Sequence, residues 1–104
     1  GVAYKQDIAD YRESPAIRVI EELEKEGAKV VYFDSFVSGY HKHGKMKKSE
    51  PELTAELLEN ADLVMITTAH TNIDYDFVQK HAKVIFDTKN AMKKVKNREN
   101  IELL

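Results

Sequence analysis

Cysteine is absent from the 104 residues, and its absence removes three chemistries at once: a disulfide framework, a thiolate metal site and a cysteine nucleophile. Charge of one sign is also lacking. Charged residues make up 33% of the chain, yet the formal net charge is only -2. No long-range field marks a nucleic-acid partner or an acidic tail, and any anion site has to be local. Long apolar runs are missing too. The longest, at residues 61–68, falls far short of the ~20 residues a bilayer demands. Gly1 to Lys5 opens no basic-then-apolar leader, so a soluble, cytoplasmic protein without a membrane partner is expected. A complete Gly-x-Gly-x-x-Gly is likewise absent. That argues against a dinucleotide held within these residues, even though Asp34 follows an apolar run as a ribose-binding acid would.

What is present suits one core. With 42% hydrophobic residues the chain fills a single domain, residues 1–104, and leaves no room for a second of comparable size. Three apolar runs stand out: Ala28-Lys-Val-Val-Tyr-Phe-Asp34, Ala61-Asp-Leu-Val-Met-Ile-Thr-Thr68 and Ala82-Lys-Val-Ile-Phe-Asp-Thr88. Their continuity predicts strands buried on both faces. Helical patterns lie between them. Ser14-Pro15 supplies a cap and a proline at the first helical position, Ile17, Val19, Ile20 and Leu23 follow at helical spacing, and Gly27 ends the segment. A second helix starts at Ser49 or Glu50 with Pro51 and carries Leu53, Leu57 and Leu58; a short third begins near Asp74 with Tyr75, Phe77 and Val78. Strands and helices alternating in this way predict a doubly wound α/β fold, a mostly parallel sheet with helices on both faces. The opening Gly1-Val-Ala-Tyr-Lys5 reads as the last turn of a strand truncated upstream. Residues 38–48, polar and holding two of the four glycines, read as a mobile surface loop.

In open α/β sheets ligands bind beyond the carboxyl ends of the strands, which places Tyr4 to Arg12, Thr67 to His70 and Asp87 to Asn90 at the candidate site. Lys5, Arg12 and Lys89 could meet an anion there, beside the amino end of the first helix. Asp7, Asp10 and Glu13 stand among these cations, and on composition alone a set of exposed ion pairs is the simpler reading. His41 and His43 lack a third ligand at useful spacing, so no metal site is expected. His70 at a strand end either donates to a phosphate or base or caps a turn. His81 suits a helix end. Lys93 to Arg98 is basic but has no interleaved aromatic for base stacking, and reads as a solvated face.

Gly1-Val-Ala-Tyr-Lys-Gln-Asp-Ile-Ala-Asp-Tyr-Arg-Glu-Ser-Pro15 closely resembles the signature opening the carboxy-terminal, UDP-binding domain of the UDP-glucose and GDP-mannose dehydrogenase family. Residues 27–34 resemble that family's second strand, and Asp87-Thr-Lys-Asn90 its closing Asp-x-Arg-Asn turn, so the likeness spans nearly the whole chain. It implies a Rossmann-like domain of a larger, three-domain enzyme that oxidises the C6 hydroxymethyl of a UDP-sugar to a carboxylate in two NAD-dependent steps, through a thiohemiacetal on a cysteine. In the family that cysteine, its assisting lysine and aspartate, and the dinucleotide fingerprint belong to other domains. This chain is therefore expected to hold no catalytic residue, which fits its lack of cysteine.

The resemblance assigns substrate contacts to Tyr4, Lys5 and Lys89 and a contact with NAD to Arg12. Lys89 departs from the family's arginine, giving a point charge where a planar fork is usual, and Ser35 replaces a common proline. The combination of Arg12 to Pro15, Thr67 to His70, Asp74 to Asp76 and Asp87 to Asn90 is similar to members acting on UDP-N-acetylhexosamines for surface polysaccharide such as capsule, in an enzyme expected to be a homo-oligomer. A UDP-glucose 6-dehydrogenase domain and a stand-alone, non-catalytic module for a phosphorylated metabolite are the competing expectations.

Overall fold

The structure, a computed structural model, describes residues 1–104. Helix α1 (Pro15–Lys25) begins as the sequence predicts, with proline in its first turn, and buries Ala16, Ile17 and Ile20. Its end is closed by paired backbone bonds, Gly27 N–H to Glu24 O and Ala28 N–H to Leu23 O. This closure requires Gly27 in the left-handed region, at φ 94°, where a side chain would be strained. Ser14 holds the cap position, but its side chain makes no capping bond; its buried Oγ has no partner.

Residues 38–48 are not a mobile loop. Strands β1 (Gly39–Lys42) and β2 (Lys45–Lys48) pair antiparallel around His43 and Gly44, both at positive φ, 52° and 75°, the geometry of a two-residue hairpin turn that matches strand twist. The hairpin is pinned to α1 by Lys42 and His43 on Glu21 and by Lys47 on Glu24, while Tyr40 is buried. His43 is thereby engaged with Glu21 at 2.8 Å.

Helix α2 (Ala55–Asn60) starts later than the Pro51 pattern predicts. Thr54 Oγ1 caps it by accepting from Leu57 N–H, whereas Ser49 and Glu50 are drawn off by bonds to Asp34 and Tyr32. Strand β3 (Val64–Ile66), helix α3 (Tyr75–His81, capped by Asp74), strand β4 (Ile85–Asp87) and strand β5 (Ile101–Leu103) complete the chain. The three strands form a parallel sheet in the order β3-β4-β5. The α/β class is as predicted; β5, from a segment without an apolar run, is an addition. No helix is long and apolar enough to cross a membrane.

Two apolar clusters share the core. One joins Val2, Ala3, Ile17, Ile20, Tyr32, Val37 and Tyr40; the other joins Leu58, Ile66, Val78, Ala82, Ile85, Met92 and Val95. Each fully buried aliphatic side chain contributes roughly 1.5–3 kcal/mol. Between the clusters runs a cleft of about 660 Å³, walled by residues 28–33 on one side and 61–68 on the other. Of the three apolar runs, only residues 28–34 join no ladder, and the opening Gly1 to Lys5 joins none either. Facing the cleft, residues 28–34 find no neighbouring strand, and Val31 is left half exposed instead of buried.

Candidate functional site

Every hydrogen bond between residues 1–40 and residues 58–104 runs through residues 67–72, at the carboxyl edge of the sheet. Thr67 Oγ1 donates to Gly1 O, and Thr68 Oγ1 to Ala3 O at 2.9 Å. Gly1 has to be glycine here: a Cβ would stand 2.9 Å from Thr68 Cβ and 3.2 Å from Asp34 Oδ2. The opening segment is thus laid directly across the end of β3.

Asp34 is the hub of this seam. Its Oδ2 accepts from the N–H groups of Val2 (2.8 Å) and Ala3 (3.0 Å), and its Oδ1 from Phe36 N–H, Val37 N–H and His70 Nε2. Burial pushes its carboxyl up, but the bonds from Phe36, His70, Val2 and Ala3 outweigh burial and hold it below the usual carboxylate range. With both oxygens committed inward, Asp34 has no role as a ribose acid. His70, only 2% exposed, accepts at Nδ1 from Asp7 N–H (2.8 Å) and packs against Phe36 with ring centroids 4.7 Å apart. Of its two predicted roles, the turn-holding one is what the structure shows.

Asp7 closes the same turn from the other side. Its carboxylate accepts from Thr71 Oγ1 (2.7 Å) and Thr71 N–H (2.8 Å), which hold its pKa low. Tyr4 N–H reaches Asp10 O at 2.7 Å, closing residues 4–10 into a loop whose Tyr4, Lys5 and Gln6 side chains are exposed. The Lys5 ammonium lies 6.0 Å from the Tyr4 ring centroid, at the outer limit of a cation–π contact. Lys89 arrives from β4. Thr88 N–H and Oγ1 both donate to Ile66 O, and the fully buried Asp87 accepts from the N–H groups of Lys89, Ala91 and Met92. Tyr4, Lys5 and Lys89 therefore lie toward one rim of the sheet. Arg12 stands apart. Its guanidinium is paired with Asp10 at 3.0 Å, and the carboxylate in turn holds the guanidinium pKa up; exposed on both sides, such a pair contributes little stability.

Sequence reasoning set Asp34 aside and overlooked Asp7, Thr67, Thr68, Thr71 and Asp87 as scaffold. A signal for two of them was available. An aspartate closing an apolar run, with polar residues behind it, is placed to collect the free N–H groups of the following turn. Tyr75 belongs to the same frame: its hydroxyl donates to His70 O at 2.6 Å, and burial, reinforced by the charges of Asp87 and Asp7, raises its pKa to about 12. Tyr75→Phe leaves that carbonyl unpaired and is expected to cost about 1 kcal/mol, readable as a lower urea midpoint at unchanged slope.

The sequence profile described as "UDP-glucose/GDP-mannose dehydrogenase family, UDP binding domain" matches residues 1–94. The chain belongs to this family. The UDP-N-acetyl-D-mannosamine dehydrogenase of Methanocaldococcus jannaschii is 32% identical to this UDP-binding domain over 107 residues, covering 95% of the chain and 22% of the relative. The enzyme of the same name from Methanococcus maripaludis is 30% identical over 100 residues, covering 88% and 22%. A solved derivative structure of the UDP-N-acetyl-mannosamine dehydrogenase from S. aureus superposes with a TM-score of 0.69 at 32% identity, over 99% of this chain and 23% of that one. The UDP-binding domain thus spans about a fifth of the length of the relatives it matches.

Proposed function

We propose that this UDP-binding domain supplies the substrate's nucleotide contacts in an NAD-dependent UDP-N-acetyl-D-mannosamine 6-dehydrogenase serving surface polysaccharide synthesis. The observation that carries the reading is the rim where Lys5 and Lys89, from two distant turns, stand exposed above the end of a parallel sheet. An ammonium there is a charge-assisted donor to a diphosphate, and Tyr4 offers an aromatic face beside it. The names of the relatives favour the mannosamine sugar over glucose.

Within these residues there is no fit for the dinucleotide itself, since the Asp34 carboxylate is spent on internal bonds. The contact assigned to NAD is Arg12, which projects outward with its side chain 84% exposed toward whatever the rest of the enzyme places there. The cleft fits the reading of a domain within a larger fold, since 20 of its 28 lining residues are hydrophobic.

Titration of the chain with UDP tests the reading. Weak binding is expected from a partial site, reduced about tenfold by Lys5→Ala and by Lys89→Ala, as suits one charge-assisted hydrogen bond each. Identical titrations for the parent chain and both variants would remove the two lysines from the site.

A further inference from the structure

We propose that His70 is a positioning residue for the Lys5 turn, acting through the Asp7 amide without touching the ligand. The inference rests on the reading above, that the Lys5 rim takes the diphosphate of UDP.

Two partners with fixed roles hold the ring. A backbone N–H can only donate, so Nδ1 must present its lone pair to Asp7 at 2.8 Å. An ionised carboxylate can only accept, so Nε2 must carry the proton toward Asp34 at 2.9 Å. Together they select one tautomer. The ring is further held by Phe36 on its face, and its own carbonyl accepts from Tyr75. At 2% exposure His70 offers nothing to a ligand in solution.

What the ring supports is exposed. Asp7 sits in the left-handed region, φ 59°, which aspartate tolerates better than most residues but which its neighbours here help to hold. Those neighbours are His70 at its amide and Thr71 at its carboxylate. Lys5 lies two residues earlier, and its own side chain has no carboxylate partner. The His70 lone pair is therefore a fixed post from which the turn hangs, and it lowers the ordering cost that a mobile lysine turn would add on binding.

Conservative variants separate positioning from general stability. In His70→Asn the amide oxygen stands near the place of Nδ1 and can accept from Asp7, but it cannot reach Asp34. In His70→Gln the amide nitrogen stands near the place of Nε2 and can donate to Asp34, leaving Asp7 N–H unpaired. The expected result is a crossed order. UDP affinity stays within about threefold of the parent in His70→Asn and falls about tenfold in His70→Gln, while the urea midpoint is better kept by His70→Gln. In the parent chain, ¹⁵N spectra are expected to show Nδ1 unprotonated and Nε2 protonated, with Asp7 N–H protected from exchange, and that protection is lost in His70→Gln. If affinity instead follows the urea midpoint across the variants, His70 is merely structural and the proposal is overturned, with the UDP reading intact. If the parent chain binds no UDP, that reading fails. Positioning of the turn then stands or falls on the ligand-free spectra: a protonated Nδ1, or Asp7 exchange unchanged by His70→Gln, overturns it.

Discussion

Asp34→Asn is expected to destabilise the chain by about 3 kcal/mol, a fall in Tm of about 15 °C for a domain of this size. The side chain is fully buried, and its two oxygens accept five hydrogen bonds from donors on three separate segments: Val2 and Ala3, Phe36 and Val37, and His70. An amide keeps one acceptor and turns an NH₂ toward the other set, so at least two buried N–H groups face a donor. Acid acts on the same group. Because the folded state holds the Asp34 pKa below its ordinary value, the stabilisation is complete above the unfolded carboxylate's pKa of about 3.9 and drains away as pH falls through the lower folded value. Asp34→Asn should therefore lower stability near neutral pH and flatten its decline in acid. Urea unfolding at several pH values reads both effects, and a variant as stable as the parent at neutral pH would show that the seam does not depend on this carboxylate.

Asp87→Asn is expected to cost a similar amount, about 3 kcal/mol, for a different functional reason. Asp87 is fully buried at the end of β4 and gathers Lys89 N–H (3.0 Å), Ala91 N–H (3.1 Å) and Met92 N–H (2.9 Å) into one turn. Met92, also fully buried, anchors the second cluster through this turn. The substitution leaves Met92 N–H, or the Lys89 and Ala91 pair, against an amide NH₂. Stability falls, and under conditions where the variant remains folded, UDP affinity falls as well because Lys89 is no longer fixed. A loss of stability without any change in affinity would detach Lys89 from the site.

Much of this architecture could be read from residue order, because its signals are local. Ser14-Pro15 and Gly27 bracket α1, Asp74 opens α3, and the apolar runs at residues 61–68 and 82–88 contain the parallel pair β3 and β4. The departures have long-range causes. The His43-Gly44 turn becomes a hairpin whose first strand buries Tyr40 in the first cluster beside Tyr11 and Tyr32, with Glu21 and Glu24 of α1 pairing its lysines and His43. Residues 28–34 carry a strand's composition but form no ladder, since an apolar cleft lies where a neighbour would pair. At the candidate site, strand ends and motif single out Tyr4, Lys5 and Lys89. They do not reveal the framework beneath, because Asp34, His70 and Asp7 lie 27 or more residues apart in sequence and acquire their meaning only where the segments meet.

The most direct test of the account is to follow backbone amide resonances of the chain as UDP is added. Perturbations concentrated at residues 4–7, 67–71 and 88–90 are predicted, with the hairpin at residues 39–48 silent. Perturbations confined to the hairpin or to the opposite edge of the sheet, or none at saturating UDP, would contradict a nucleotide site at the Lys5 and Lys89 rim.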